Sequence, residues 1–340
     1  MNVIPTGGGL LETIIILAMT HSPYRSAPLA AALALTLSVA LAACGSDQTA
    51  PSTSSTAAAA GASTTSSEPC PTAPVDVVVS VDQWGDIVSE LGGACAKVKT
   101  ILAGSSVDPH DYEPSPADAA SFAGAKMVVV NGADYDAWAS KLAESSAGAA
   151  PVVSASEVTK TADGANPHLW YSPTAVTAVA DAVTAELSKL DPQAASYFGE
   201  RREALTTTLK PYDDLIAKIK AGASGKSYAA TEGIFDYQAE AMGLVNKTPE
   251  GYQRASANES DPSPADIAAF TTALAEKKVD VLMYNTQTEG SIPEQIRTAA
   301  EQAGVPVVDV TETVPPGQTS FEAWQDGQLT ALAKALGVST

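Results

Sequence analysis

The sequence predicts an α/β protein of two similar lobes, each a mainly parallel sheet flanked by helices, joined by a long bridging helix. Three observations carry this expectation. Short β-rich runs alternate with Ala-rich helical stretches along the body of the chain, the pattern of strands linked by helical crossovers. The runs fall into two groups on either side of a long helical stretch. One phrase also recurs: Pro114-Ser115-Pro116-Ala117-Asp118-Ala119-Ala120-Ser121-Phe122 returns as Pro262-Ser263-Pro264-Ala265-Asp266-Ile267-Ala268-Ala269-Phe270, each copy ahead of a strand ending in Asn131 or Asn285.

Taken in order, strands are expected at 76–81, 98–103, 126–131 and 151–154 in the first lobe, and at 227–231, 279–285 and 306–310 in the second. Each copy of the repeated phrase reads as a helix start, with Ser as N-cap, Pro at the first helical position and Asp placed to close a capping box. Ser172-Pro173 starts a helix running to about Leu190. Asp191-Pro192 then leads a second one to about Ala221, some ~45 Å long at 1.5 Å per residue. Its apolar positions, Leu205, Leu209, Tyr212, Leu215, Ile216 and Ile219, keep a helical spacing with charge between them.

Ahead of this body lies a leader. From Ala27 to Ala43 the chain is a run of Ala, Leu and Val broken only by Pro28, Thr36 and Ser38, preceded by Arg25 and ending in Leu41-Ala42-Ala43-Cys44. It is short for a span of ~30 Å and ends in small residues, so 1–43 reads as a secretory signal with its cleavage site. Leu-Ala-Ala-Cys resembles a bacterial lipobox, which makes Cys44 the lipidated first residue of an exported chain held on the outer face of the cell membrane. Residues 1–18 precede Met19 and fit no part of a signal, as a start assigned too early would produce. A transmembrane anchor is the weaker reading, because a Ser/Thr/Ala/Gly stretch follows at once; 44–74 is expected to be a tether unable to bury enough surface to order itself. The lobes then occupy 75–190 and 223–340, with the bridging helix over 191–222.

The formal charge of −20 argues against nucleic acid and anionic membrane as partners. With Cys44 given to lipid, Cys70 and Cys95 remain, and in an exported protein a pair is read first as a disulfide. Free thiols or a thiolate metal site are the alternatives, the latter without a CxxC spacing to support it. Outside the leader, which holds His21, there are two histidines, in Asp108-Pro109-His110 and Asn166-Pro167-His168. Each sits after a proline in a polar loop, where the X-Pro pair makes a stiff, extended segment suited to holding an imidazole at a fixed angle. The pattern points to a divalent metal site.

From these residues the body resembles the zinc/manganese-binding lipoproteins that serve as substrate-binding subunits of bacterial ABC importers. The resemblance rests on Asp-Pro-His110-Asp-Tyr-Glu-Pro-Ser-Pro, on Asn-Pro-His168-Leu-Trp-Tyr-Ser-Pro, on Thr231-Glu232-Gly233-Ile234-Phe235-Asp236-Tyr237, and on Val310-Thr311-Glu312-Thr313. It implies a metal held between the lobes by His110 and His168 from the first and Glu232 and Glu312 from the second, with Asp309 as a nearby alternative to Glu312. It implies one Zn2+ or Mn2+ as transported ligand, an ABC permease and its ATPase subunit as partners, no catalysis and a monomeric chain. Two neutral imidazoles and two carboxylates suit either ion. Against zinc-type members the chain lacks a His-rich loop and has Glu at the third place, an oxygen-rich set that shifts the expectation toward manganese without excluding zinc. Trp170 and Tyr171 are expected near the site, and Asn285, Thr286 and Gln287 are candidates to hydrogen-bond the ligands. The rival readings are a secreted mononuclear zinc hydrolase, which no His-Glu-x-x-His or Gly-x-Ser-x-Gly motif supports, and an adhesin using the metal structurally.

Overall fold

The computed structural model describes residues 69–104, 112–288, 290–318 and 320–340. The leader, Cys44, most of the tether and His110 therefore lie outside the described residues. Among those described, two four-stranded sheets account for the strands. The first comprises β1 (Val75–Val81), β2 (Ala96–Leu102), β3 (Met127–Val130) and β4 (Val152–Ser154). The second comprises β5 (Ser227–Ala230), β6 (Val245–Asn246), β7 (Val281–Asn285) and β8 (Val307–Val310). All pairings are parallel, and the orders β2-β1-β3-β4 and β6-β5-β7-β8 repeat the same winding.

Parallel neighbours need crossovers, and helices from those crossovers cover both faces, so the central strands are buried on both sides. Met127 through Val130, and Val281 through Asn285, are accordingly buried without a break. In the second sheet the strand period of two sorts the faces. Ala230, Met283 and Val308 point into the main core, while Ala229 and Leu282 point into a separate cluster with Tyr252, Phe270 and Ile296.

Both copies of the repeated phrase form the expected capping boxes. Asp118 N donates to Ser115 Oγ at 3.3 Å and Ser115 N to Asp118 Oδ2 at 2.7 Å; in the second copy Asp266 N and Ser263 N make the equivalent bonds, both at 3.3 Å. Pro116 and Pro264 begin the helices Pro116–Gly124 and Pro264–Ala275, where a missing N–H costs nothing.

The helix Pro173–Leu190 is followed by a 3-10 turn, Pro192–Ala194, and then by the helix Ala195–Ala223 of 29 residues. Its first turns hold the first lobe: Arg201 Nε donates to Glu90 O at 2.7 Å, and Tyr197 Oη accepts from Ala94 N at 2.8 Å. Its later turns hold the second, where the Tyr212 ring meets Phe321 edge-on and its Oη accepts from Gln238 Nε2 at 3.3 Å. Leu205, Leu209, Leu215 and Ile219 are buried in one hydrophobic cluster that is continuous from Val79 and Val129 of the first sheet to Met283 and Val308 of the second. The helix carries an exposed interior proline, Pro211, which removes one ladder donor without ending it.

Cys70 and Cys95 are joined by a disulfide with Cα atoms 4.9 Å apart, tying the segment before β1 to the 3-10 turn Gly93–Cys95. Closing a loop across a sequence separation of 25 stabilises the fold by about 3 kcal/mol. No helix among the described residues is long and apolar enough to cross a membrane.

Candidate metal centre

His168 enters from the first lobe on the loop between the short helix Ala155–Thr159, which follows β4, and the helix Pro173–Leu190, and it is 5% exposed. Its ring is oriented by the residue two before it. Asn166 Oδ1 accepts the His168 backbone N–H at 3.0 Å, which identifies that atom as the oxygen, and it lies 2.7 Å from His168 Nδ1. Nδ1 therefore carries the proton of the neutral ring, and the buried Nε2 is left as the free lone pair. Asn166 Nδ2 donates to Gly233 O at 2.6 Å, so the same side chain reaches across to the residue after Glu232. Asn131, at the end of β3, fixes the loop from behind by donating to Pro167 O at 2.8 Å and accepting from Trp84 Nε1 at 3.0 Å. The rings of Trp170 and Tyr135 stand edge-on to the imidazole, with centroids at 5.3 and 6.2 Å.

Glu232 and Glu312 follow the carboxyl ends of β5 and β8, where open parallel sheets place ligand sites. His168 Nε2 lies 3.8 Å from Glu232 Oε1 and 3.6 Å from Glu312 Oε1. Ligand atoms about 2.1 Å from a common tetrahedral ion would stand about 3.4 Å apart, close to this spacing. The three residues form one of the two groups of potential ligands gathered within 4.8 Å among the described residues. The other, Asp86, Glu90 and Glu322, consists of carboxylates alone.

The carboxylates are held as firmly as the imidazole. Glu232 Oε2 accepts from Asn285 Nδ2 and from Thr288 Oγ1, both at 2.7 Å. The Glu312 carboxylate accepts from the Tyr135 hydroxyl, which in turn accepts from Gln83 Nε2 at 2.8 Å. Gln83 Nε2 also donates to Glu312 O at 3.1 Å, and Gln287 Oε1 accepts from Glu312 N at 2.6 Å and Thr313 N at 2.9 Å. The Tyr171 hydroxyl bonds to the residue before Glu312, donating to Thr311 O at 2.7 Å. Burial opposes the charged form of His168, but Glu312 and Glu232 outweigh it and hold the imidazole pKa above its ordinary value. A metal entering the site therefore competes with a proton for the same lone pair.

The sequence-derived candidates separate clearly. His168, Glu232 and Glu312 come together, and Asn285 and Gln287 hydrogen-bond them; Thr286 Oγ1 bonds only to Val310 O, at 3.4 Å. His110 lies outside the described residues. Asp309 points away on the exposed face of β8 and accepts from Arg297 Nη1 at 2.7 Å, so it is not one of the gathered groups. Sequence reasoning does not reach Asn166, Tyr135, Gln83 or Thr288 as partners of the gathered residues. Asn166 alone leaves a signal, since Asn two residues before a loop histidine is placed to bond that residue's own backbone.

Known proteins resemble the chain in sequence and in fold. The chain is 26% identical over 203 residues to the high-affinity zinc uptake system protein ZnuA of Bacillus subtilis, a match covering 54% of this chain and 62% of that one. It is 25% identical over 237 residues to the iron-binding protein YfeA of Yersinia pestis, covering 66% of this chain and 74% of the relative. Among solved structures, the SBP FpvC from Pseudomonas aeruginosa in complex with Mn2+ superposes with a TM-score of 0.65 at 24% identity, over 78% of this chain and 98% of that one, and shares the two-lobe fold. Residues 77–335 match the family model described as zinc-uptake complex component A, periplasmic, and the chain belongs to that family.

Proposed function

We propose that this chain is an extracytoplasmic substrate-binding protein that captures one divalent metal ion, zinc or manganese, and hands it to an ABC importer. The observation that carries the reading is the convergence of His168 from one lobe with Glu232 and Glu312 from the other, all three with a ligand atom turned to a common point. An imidazole and two carboxylates offset a divalent charge that no single lobe could bind as well. His110, in the Asp-Pro-His motif, completes the set as fourth ligand. Four protein ligands leave little room for a reactive water, which supports capture rather than hydrolysis. The permease and its ATPase subunit are the expected partners, the chain acts as a monomer, and Cys44 anchors it to the outer face of the membrane through lipid, with 44–74 as tether.

Titration of the full chain with Zn2+ and with Mn2+ tests this. One ion per chain, with binding severely weakened in His110→Ala and in His168→Ala, is expected. Unchanged affinity in either variant would remove that histidine from the site and overturn the ligand set.

A further inference from the structure

We infer that Asn285 and Thr288 set the metal preference of this site by restricting Glu232 to one-point binding, which favours zinc over manganese. The inference rests on the proposed metal-capture reading and names which ion the site is built for.

A carboxylate oxygen offers about two lone-pair directions. Both directions on Glu232 Oε2 are taken, by Asn285 Nδ2 and Thr288 Oγ1 at 2.7 Å each. Only Oε1 remains, and it is the oxygen that faces His168 Nε2 at 3.8 Å. The clamp is itself fixed in advance. Asn285 is 2% exposed, its Oδ1 accepts from Gln287 N at 3.0 Å, and its own N donates to Thr231 Oγ1 at 3.1 Å. The amide therefore cannot turn its oxygen toward Glu232 without losing the bond to Gln287.

Chelation of an ion by both oxygens of Glu232 would break two hydrogen bonds at once. Zinc has no need of it, because it settles with four nitrogen and oxygen ligands in a tetrahedron. Manganese prefers an octahedral shell rich in oxygen, which a second oxygen from Glu232 would help to fill. Clamped in this way, Glu232 acts like an imidazole in the same place: a single donor at a fixed point. The oxygen count read from the sequence overstates the oxygens available to the ion.

The test is equilibrium competition between Zn2+ and Mn2+ for the full chain, in wild type, Asn285→Ala, Thr288→Val and the double variant, with thermal melts to confirm folding. Releasing Glu232 is expected to lower the zinc-to-manganese preference by about tenfold or more in the double variant, with smaller falls in the singles. Co2+ bound in place of zinc supplies a second readout, since its visible band is intense in a tetrahedral site and weakens as the coordination number rises. An unchanged preference and an unchanged cobalt spectrum in folded variants, with wild-type binding intact, would overturn the inference and leave metal capture standing. Wild-type protein that binds neither ion would overturn the capture reading, and this inference with it.

Discussion

Asn166→Ala is the most incisive perturbation of the site outside its ligands. The side chain makes three bonds: to His168 Nδ1 at 2.7 Å, to His168 N at 3.0 Å, and to Gly233 O at 2.6 Å across to the second lobe. Losing the first frees the ring to rotate and to place its proton on Nε2, where it would block metal. Such partners of a ligating histidine are worth about tenfold to a hundredfold in affinity, or about 1.4–2.8 kcal/mol. The other two bonds are partly buried, and leaving His168 N and Gly233 O without them costs about 1 kcal/mol each in folding stability. Asn166→Asp separates the two effects, because a carboxylate still accepts from Nδ1 but cannot donate to Gly233 O. The alanine variant should lose both affinity and stability; the aspartate variant should keep most of the affinity and lose stability. Chelator competition measures the first and metal-free thermal melts the second. An alanine variant that binds metal as tightly as wild type would refute the claim that Asn166 fixes the working tautomer.

Metal should raise the melting temperature, since a ligand that binds only the folded state stabilises it, and Glu312→Gln should reduce that gain far more than Asp309→Asn, which breaks only the exposed pair with Arg297. A larger loss for Asp309→Asn in the same thermal-shift assay would move the ligand to that strand. Metal affinity should fall as pH drops, starting above the ordinary histidine value of ~6.5, because the ion must displace a proton from an imidazole whose pKa is raised. Metal-free stability should run the other way: raised groups such as His168, and Glu90, pushed to about 7 by burial and by Glu322 and Asp86, contribute fully below their unfolded values and lose that contribution as pH rises through the folded ones. Glu90→Gln should flatten the metal-free melting profile between about pH 5 and 8, and an unaltered profile would remove Glu90 from the explanation. Reducing the Cys70–Cys95 bond should cost about 3 kcal/mol in denaturant melts, and Cys44→Ser should release the protein from the membrane fraction, whereas retention there would assign the anchor to the apolar leader.

The architecture was legible wherever burial was extreme. Val77 to Val79 and Met127 to Val130 are unbroken apolar runs, almost wholly valine, because both faces of a parallel sheet are covered, and such runs need no alternation to be recognised. Capping boxes at Ser115 and Ser263 were legible because they are closed within four residues. β6 was not: it is a two-residue edge strand whose Val245 is 41% exposed, too short to carry any period. A continuous helix bends less readily than loop hinges do, which is one reason to expect only modest swings of one lobe against the other. The continuous core running along it, from Val129 through Leu209 to Met283, adds a second reason, since opening the lobes would expose apolar surface that now excludes water.

The site divides differently. His168 stood out because histidine is rare here and follows proline; Glu232 and Glu312 were reached through a family resemblance, since single loop carboxylates carry no local mark of ligation. The groups that position them were beyond reach for a physical reason. Gln83 meets Glu312 across 229 positions of sequence and Asn166 meets Gly233 across 67, contacts created only when two separately wound sheets dock. Metal preference belongs to this same level. Residue types count the oxygens a site contains, whereas the bonds from Asn285 and Thr288 decide how many of them can turn toward an ion. A glutamate in the third place thus reads as a step toward manganese in the sequence and as a one-handed, zinc-compatible ligand in the fold.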